Sequence, residues 1–223
     1  NKRIILIGPP TVGKSTIATE LSNQLGIEYV RLDKLQQDYG YGEGKELELV
    51  RNVLSNNFEK YDTPSILDFG GGHVYNEGIN ELLKNYPNIF LLMPSTDTEK
   101  SNELLRKANE ERWTEFMDQI IQGLKSGKHK HTEEKKTELI NKLERIKQGE
   151  GGKFDKEDLP DTPEMQGWGG LDMEKDWNKF VPLSSNEDQI NRSVAKHVVP
   201  VYDEKGNRRN KSDIAGDIIS QLT

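Results

Sequence analysis

The chain has no cysteine, so disulfides, thiolate nucleophiles and cysteine-ligated zinc or iron–sulfur centres are all excluded. Long apolar runs are also missing. The two most hydrophobic stretches, Ile4 to Ile7 and Ile89 to Met93, are far too short to cross a bilayer as a helix. Aromatic residues are scarce at 7%, and with a mean hydropathy of −0.83 the 32% of hydrophobic residues must be concentrated in a few core segments. An excess of basic charge is lacking too. Net charge is −7 and the pI is near 5.3, which gives no general electrostatic reason to bind nucleic acid or an anionic membrane. The expectation is a cytoplasmic protein without a secretory leader or membrane segment, its 223 residues forming one domain with an insertion.

What is present begins at the first residues. Arg3-Ile4-Ile5-Leu6-Ile7 is a continuous apolar run, the pattern of a strand buried on both faces of a parallel sheet. Ile17, Ala18, Leu21 and Leu25 then recur at helical spacing, with Gly26 as a stop. Between them lies Gly8-Pro9-Pro10-Thr11-Val12-Gly13-Lys14-Ser15, a complete phosphate-binding loop in the strand–loop–helix context that motif requires. Glycines let the backbone approach phosphate, free N–H groups and the helix N-terminus face the anion, and Lys14 adds charge toward the β- and γ-phosphates. Gly8, Thr11, Val12, Gly13, Lys14, Ser15 and Thr16 are the candidate nucleotide-binding residues, with ATP as the expected nucleotide. The Ser15 hydroxyl is a candidate Mg²⁺ ligand.

The alternation continues. Ile27 to Leu32 reads as a second strand, Leu47, Val50, Val53 and Leu54 as a helix face, and Ser65 to Phe69 as a third strand running into Gly70-Gly71-Gly72. Ile79, Leu82 and Leu83 mark another helix, Ile89 to Met93 a fourth strand, and His197 to Val201 a fifth. The predicted fold is α/β, a three-layer P-loop NTPase with a five-stranded parallel sheet and a large helical, lid-like insertion. The core is predicted at residues 1–97 and 195–223, with the insertion at 98–194.

Within the insertion, Trp113, Phe116, Met117, Ile120, Ile121 and Leu124 form one helical stripe, and Leu139, Ile140, Leu143 and Ile146 form a second; both read as packing faces. Gly149 to Gly170, rich in Gly, Pro and acids, reads as a loop, and Ser184 with Glu187 has capping-box spacing. Lys125 to His131 is a local basic patch, read as a solvated loop, while Trp168 and Trp177 fit packing as well as ligand stacking.

Phosphoryl transfer needs a metal site, a group near the attacking hydroxyl and cations over the transferred phosphate. Asp33 follows the second strand and Asp68 ends the third, so both fall at the carboxyl edge that the phosphate loop also occupies. Asp68 follows its apolar strand as a Walker-B acid does and is the second candidate Mg²⁺ ligand; Asp33 also fits a helix cap.

These residues resemble the shikimate kinases and their relatives among the nucleoside-monophosphate-kinase-like P-loop proteins. The likeness rests on Gly8 to Thr16, Asp33, the glycines 70–72, Asn88 to Met93 and Ala195 to Val199, covering roughly the first hundred residues and the last thirty. The resemblance implies ATP-dependent phosphorylation of a small hydroxylated molecule, with Lys14, Asp33 and a lid arginine as catalytic groups. It implies that Asp33 holds the acceptor hydroxyl, that Gly70, Gly71 and Gly72 line the acceptor pocket, and that Arg51 corresponds to an arginine receiving an acceptor carboxylate. Arg106 and Arg112 are nearest to the lid position, and Arg112 is the chosen candidate. Two departures stand out: Arg31 replaces the first of two aspartates the family carries at the end of strand two, and about a hundred residues replace its short lid. A nucleoside, nucleotide or sugar-nucleotide kinase, or a nucleotide-dependent switch whose insertion docks a protein partner, are the alternatives.

Overall fold

The computed structural model describes residues 3–41, 44–55, 65–70, 72–127, 131–148, 153–154, 171–172 and 184–222. Five strands, β1 (Ile4–Ile7), β2 (Glu28–Arg31), β3 (Ser65–Asp68), β4 (Ile89–Met93) and β7 (His197–Pro200), form one parallel sheet in the order β2-β3-β1-β4-β7. The period of two along each strand divides the side chains between two layers. Ile5, Ile7, Val30, Leu67, Phe69, Ile89, Leu91 and Met93 join one core cluster with residues of α2 (Leu32–Asp38), α3 (Glu46–Leu54), α4 (Glu77–Leu83) and α7 (Ser185–Val194). On the other face, α1 (Lys14–Leu25) packs against β3, β2 and α8 (Lys211–Ser220), and α8 against β7. The predicted three-layer architecture is what forms. β1, β3 and β4 are buried along their whole length, as strands covered on both faces must be.

Helix ends follow local chemistry. Gly26 closes α1 with φ 64°, donating its N–H to Ser22 O, and Asn76 caps α4 by accepting from the N–H groups of Gly78 and Ile79. The capping box expected at Ser184 and Glu187 is present at the start of α7.

One detail differs from expectation. The second strand stops at Arg31, and α2 starts at once with Leu32, so Asp33 lies inside a first helical turn whose N-cap is Arg31. Two compact units are formed by 1–104 with 183–223 and by 105–182. In the first unit, α5 (Thr98–Lys125) starts with Ser101 fully buried and bonded to Ser95, and α7 packs on β4 and on the short 3₁₀ turn His73–Tyr75.

In the second unit, the two predicted stripes meet: Phe116, Met117, Ile120, Ile121 and Leu124 of α5 are buried against Leu139, Leu143 and Ile146 of α6 (Glu133–Lys147). Trp113 stands edge-on to Phe116 at 5.8 Å. β5 (Lys153–Phe154), inside the span read as a loop, pairs antiparallel with β6 (Leu171–Asp172) just beyond it, a pair too short to show periodicity in sequence. Gly71, Trp168, Trp177 and residues 128–130 of the basic patch lie outside the described residues.

Candidate functional site

The phosphate loop joins β1 to α1 and is shaped by three positive φ angles: Gly8 at 142°, Thr11 at 64° and Gly13 at 96°. Gly8 has a second reason to be glycine, since a Cβ there would lie 2.3 Å from the backbone oxygen of Leu92 on β4. The first i to i−4 bond of α1 runs from Ile17 N to Gly13 O at 3.1 Å, so the N–H groups of Lys14, Ser15 and Thr16 precede the helical ladder. No acid occupies the first turn and no side chain caps it. This end is therefore arranged for an external anion.

Lys14 is buried, and its ammonium donates to Gly8 O and Pro9 O, each at 3.0 Å. Burial pulls its pKa below the usual lysine value, against the opposing pull of the Asp68 and Asp33 carboxylates. A phosphate replacing those two carbonyls would supply the countercharge that a buried ammonium requires.

The strand alternation that places Ile66 and Asp68 on the α1 side of β3 does the same for Tyr29 and Arg31 of β2, whose register sets Arg31 opposite Asp68. Asp68 Oδ2 consequently accepts from Ser15 Oγ at 2.7 Å and from the Tyr29 hydroxyl at 3.0 Å. Burial, together with the neighbouring Asp68 carboxylate, pushes the Tyr29 phenol up to about 12, although a hydrogen bond with Ser15 opposes it. Tyr29 remains a donor that orients the carboxylate. Ser15 and Asp68 offer the oxygen donors that suit a hard cation. Among the described residues no group of three or more His, Asp or Glu gathers into a full cage, so a cation held here would take its other ligands from phosphate and water, the usual habit of Mg²⁺.

Asp33 is engaged by its neighbour. Arg31 Nη2 and Nε donate to its two oxygens at 2.6 and 3.2 Å, and the Lys34 N–H donates to Oδ1 at 2.8 Å. Burial acts to raise the pKa of Asp33, but the bonds and charge of Arg31, the Lys34 N–H and the His73 ring together hold it below the ordinary value. The helix-cap reading of Asp33 is thus corrected: it braces the first turn of α2 from within, because β2 passes into α2 without a linker. Its carboxylate is within electrostatic reach of Lys14 in the loop and of His73 beyond β3.

Past the end of β3 a cleft of about 440 Å³ is lined by Gln36, Glu46, Gly70, Gly72, His73 and Asn76. Gly70 and Gly72 line this cleft, and a Cβ on Gly70 would come within 2.9 Å of His73 Nδ1. Arg51 is exposed on α3 and is not among these residues. Five positions separate it from Glu46, which turns it roughly 140° away around the helix. Arg106 pairs with Glu110 at 3.2 Å on α5, and Arg112 borders a pocket of about 190 Å³ with Trp113, Glu115, Phe116 and Gln119 in the second unit.

Sequence reasoning missed Arg208. It lies in the loop between β7 and α8, donates from Nη2 to Val12 O at 3.1 Å, and sits over the Tyr202 ring at 5.8 Å. Its guanidinium covers Gly13 so closely that a Cβ there would meet Nη2 at 2.0 Å. With 196 residues between the partners, only topology could have signalled the contact.

Comparison with known proteins finds partial similarity to P-loop kinases. The family model described as "ATPase family associated with various cellular activities (AAA)" matches residues 4–69, which run from β1 to the end of β3 and hold the phosphate loop and Asp68. A shikimate kinase from Clostridium botulinum is 34% identical over 107 residues, 42% of this chain and 60% of that protein. The chain is a P-loop protein similar to the shikimate kinases. A second shikimate kinase, from Rhodococcus erythropolis, is 30% identical over 99 residues, covering 40% of this chain and 57% of its own length. A Thermococcus gammatolerans protein assigned as an adenylate kinase is 39% identical over 77 residues, 34% of this chain and 40% of that one. This shikimate-kinase-like chain therefore spans 60% or less of the curated relatives it matches. A solved shikimate kinase from Bacteroides thetaiotaomicron is 15% identical, with 98% of this chain and 96% of that chain covered and a TM-score of 0.48.

Proposed function

We propose that the protein is a Mg²⁺- and ATP-dependent phosphotransferase that moves the γ-phosphate of ATP to a hydroxyl of a small molecule. The observation that carries the reading is the 2.7 Å bond between Ser15 Oγ and Asp68 Oδ2, which joins the loop hydroxyl to the strand-end carboxylate beside Lys14. Bound there, Mg²⁺ would neutralise charge on the β- and γ-phosphate oxygens. Lys14 and the free N–H groups of the α1 first turn would hold the phosphates. Asp33, reaching toward both the loop and the cleft, would orient the acceptor hydroxyl; its depressed pKa makes it a hydrogen-bond acceptor and a weak base. That suits a loose transfer in which the hydroxyl proton leaves late. Arg112, in the second unit, is proposed as the cationic group of the transfer, and Arg51 as a residue outside the cleft past β3.

Relatives named as shikimate kinases support a metabolite acceptor, and the relative assigned as an adenylate kinase supports a nucleotide one. The engagement of Asp33 by Arg31 favours a second reading, a nucleotide-dependent switch with slow or absent turnover and a partner docked through 105–182. A cytoplasmic location is part of the proposal; among the described residues no helix is long and apolar enough to cross a membrane. The test is ADP formation with pooled small alcohols, sugars, nucleosides and nucleotides. A kinase gives stimulation that disappears in Lys14→Ala and falls sharply in Asp33→Ala, whereas nucleotide binding that no pool accelerates supports the switch.

A further inference from the structure

The cleft past the end of β3 has a charge pattern opposite to the one an anionic acceptor needs. Of the described groups lining it, the only carboxylate is that of Glu46; Gln36 and Asn76 are amides, His73 is an imidazole whose Nδ1 pairs with Gly70 O and whose Nε2 is buried without a hydrogen-bond partner, and Gly70 and Gly72 contribute backbone. No lysine or arginine is among them. Arg31 is occupied with Asp33, and Arg51 lies around the far side of α3.

Glu46 is also fixed in place. It stands half-buried at the first position of α3, where a carboxylate is favoured by the helix end, and its Oε1 accepts the Gly44 N–H at 3.2 Å. Hydrogen bonds from its own N–H, from Gly44 and from the Gln36 side chain, together with the His73 ring, hold its pKa below the ordinary glutamate value. The Gln36 amide also lines the cleft, and its carbonyl oxygen is a further acceptor there. His73 Nδ1 contacts Gly70 O at 3.2 Å, a pairing in which the ring nitrogen must donate. Asn76 Oδ1 is committed to capping α4, so its amide N–H₂ is what remains for a ligand.

We infer that the acceptor is a hydroxylated amine, whose ammonium is received by Glu46 and the Gln36 carbonyl while its hydroxyl is directed past Asp33 toward the phosphate loop. The inference rests on the phosphotransferase reading above. A carboxylate or phosphate on the acceptor would face the Glu46 carboxylate with no lysine or arginine among the described lining residues to offset it, at the desolvation cost of both anions. A volume of about 440 Å³ is that of a small-molecule site. In the transfer, the acceptor oxygen forms a bond to the γ-phosphorus as the bond to the β-bridging oxygen breaks, the hydroxyl proton is released and ADP departs. The ammonium takes no part in the bond changes and serves to position the molecule.

The test supplies ATP and Mg²⁺ to the purified protein with three matched pools: hydroxylated amines, the same skeletons as neutral polyols, and hydroxycarboxylates including shikimate, with Lys14→Ala as the blank. Preferential stimulation by the amines is the expected result. Glu46→Gln should then raise KM for the amine about tenfold to a hundredfold with little change in kcat, leave KM for the neutral counterpart near its starting value, and be rescued by Glu46→Asp. Melting temperature and ATP affinity of each variant establish that it is folded. Preferential stimulation by hydroxycarboxylates or neutral polyols overturns the amine assignment while leaving the kinase reading intact, as does a Glu46→Gln effect equal for amine and polyol. Stimulation by no pool overturns both.

Discussion

Replacing Asp68 by Asn separates the structural from the chemical role of the group at the centre of the site. The side chain is 6% exposed, and one of its oxygens accepts from two hydroxyls, Ser15 at 2.7 Å and Tyr29 at 3.0 Å. Asparagine retains a carbonyl oxygen of the same reach, so both bonds can form, but each changes from a charge-assisted to a neutral one. With charged-group bonds contributing about 1.5–3 kcal/mol and neutral ones about 0.5–1.5, the loss is about 1 kcal/mol per bond, or about 2 kcal/mol in all. Lys14 also loses the carboxylate that most strongly offsets its burial, which destabilises its charged form further. A domain of this size should fall in melting temperature by about 4–8 °C. Turnover should fall far more, by about 100-fold or greater, because an anionic cation ligand becomes neutral, and the Mg²⁺ concentration for half-maximal activity should rise. The assay is ADP production across a Mg²⁺ titration, beside thermal unfolding of the same preparations. Turnover within twofold of the parent at an unchanged Mg²⁺ requirement would refute the assignment of Asp68 to the cation.

Three further outcomes follow from the same coordinates. Gly8→Ala puts a methyl 2.3 Å from a β4 backbone oxygen at a φ of 142°, so it should abolish nucleotide binding and cost about 3 kcal/mol or more; unfolding and ATP titration measure the two separately. Arg208→Ala removes the guanidinium that holds Val12 O and should weaken ATP about tenfold, read by equilibrium binding, with Arg208→Lys recovering only part of it. Glu20, held by hydrogen bonds from Gln24, Ser212 and Lys211, has its pKa lowered from 4.5 to about 2. Because the folded value lies below the unfolded one, the stabilisation is complete above pH 4.5 and is lost as pH falls toward 2. Melting temperature should therefore drop more steeply over that interval in the parent than in Glu20→Gln, and parallel curves would contradict the link between α1 and α8.

The parts of this molecule that could be read from sequence are those whose cause is local. β1, the phosphate loop and α1 announce themselves because a two-face-buried strand, a glycine turn and a 3.6-residue period adjoin within about 25 residues. Asp68 was legible for the same reason, as the polar end of an apolar strand. The stripes of α5 and α6 were legible as faces and proved to be each other's partners. α2 was not, because seven residues with only Leu32 and Leu35 buried give no period, and the strand runs directly into it. That omission hid the cleft past β3, since Gln36 and Glu46 line it together only once α2 and α3 have folded against the end of that strand. Arg208 was hidden by distance along the chain. The arginine expected to read an acceptor carboxylate was assigned from resemblance and stands outside the cleft, where the local helical phase places it.

The most direct measurement is the fate of the γ-phosphate itself. ATP labelled at that position is incubated with Mg²⁺, the purified protein and the pooled acceptors, and the label is followed. The account predicts label in a phosphate ester of a small acceptor, absent with Lys14→Ala and strongly reduced with Asp68→Asn. Label remaining in ATP, or released only as inorganic phosphate, in a protein that binds ATP would contradict it.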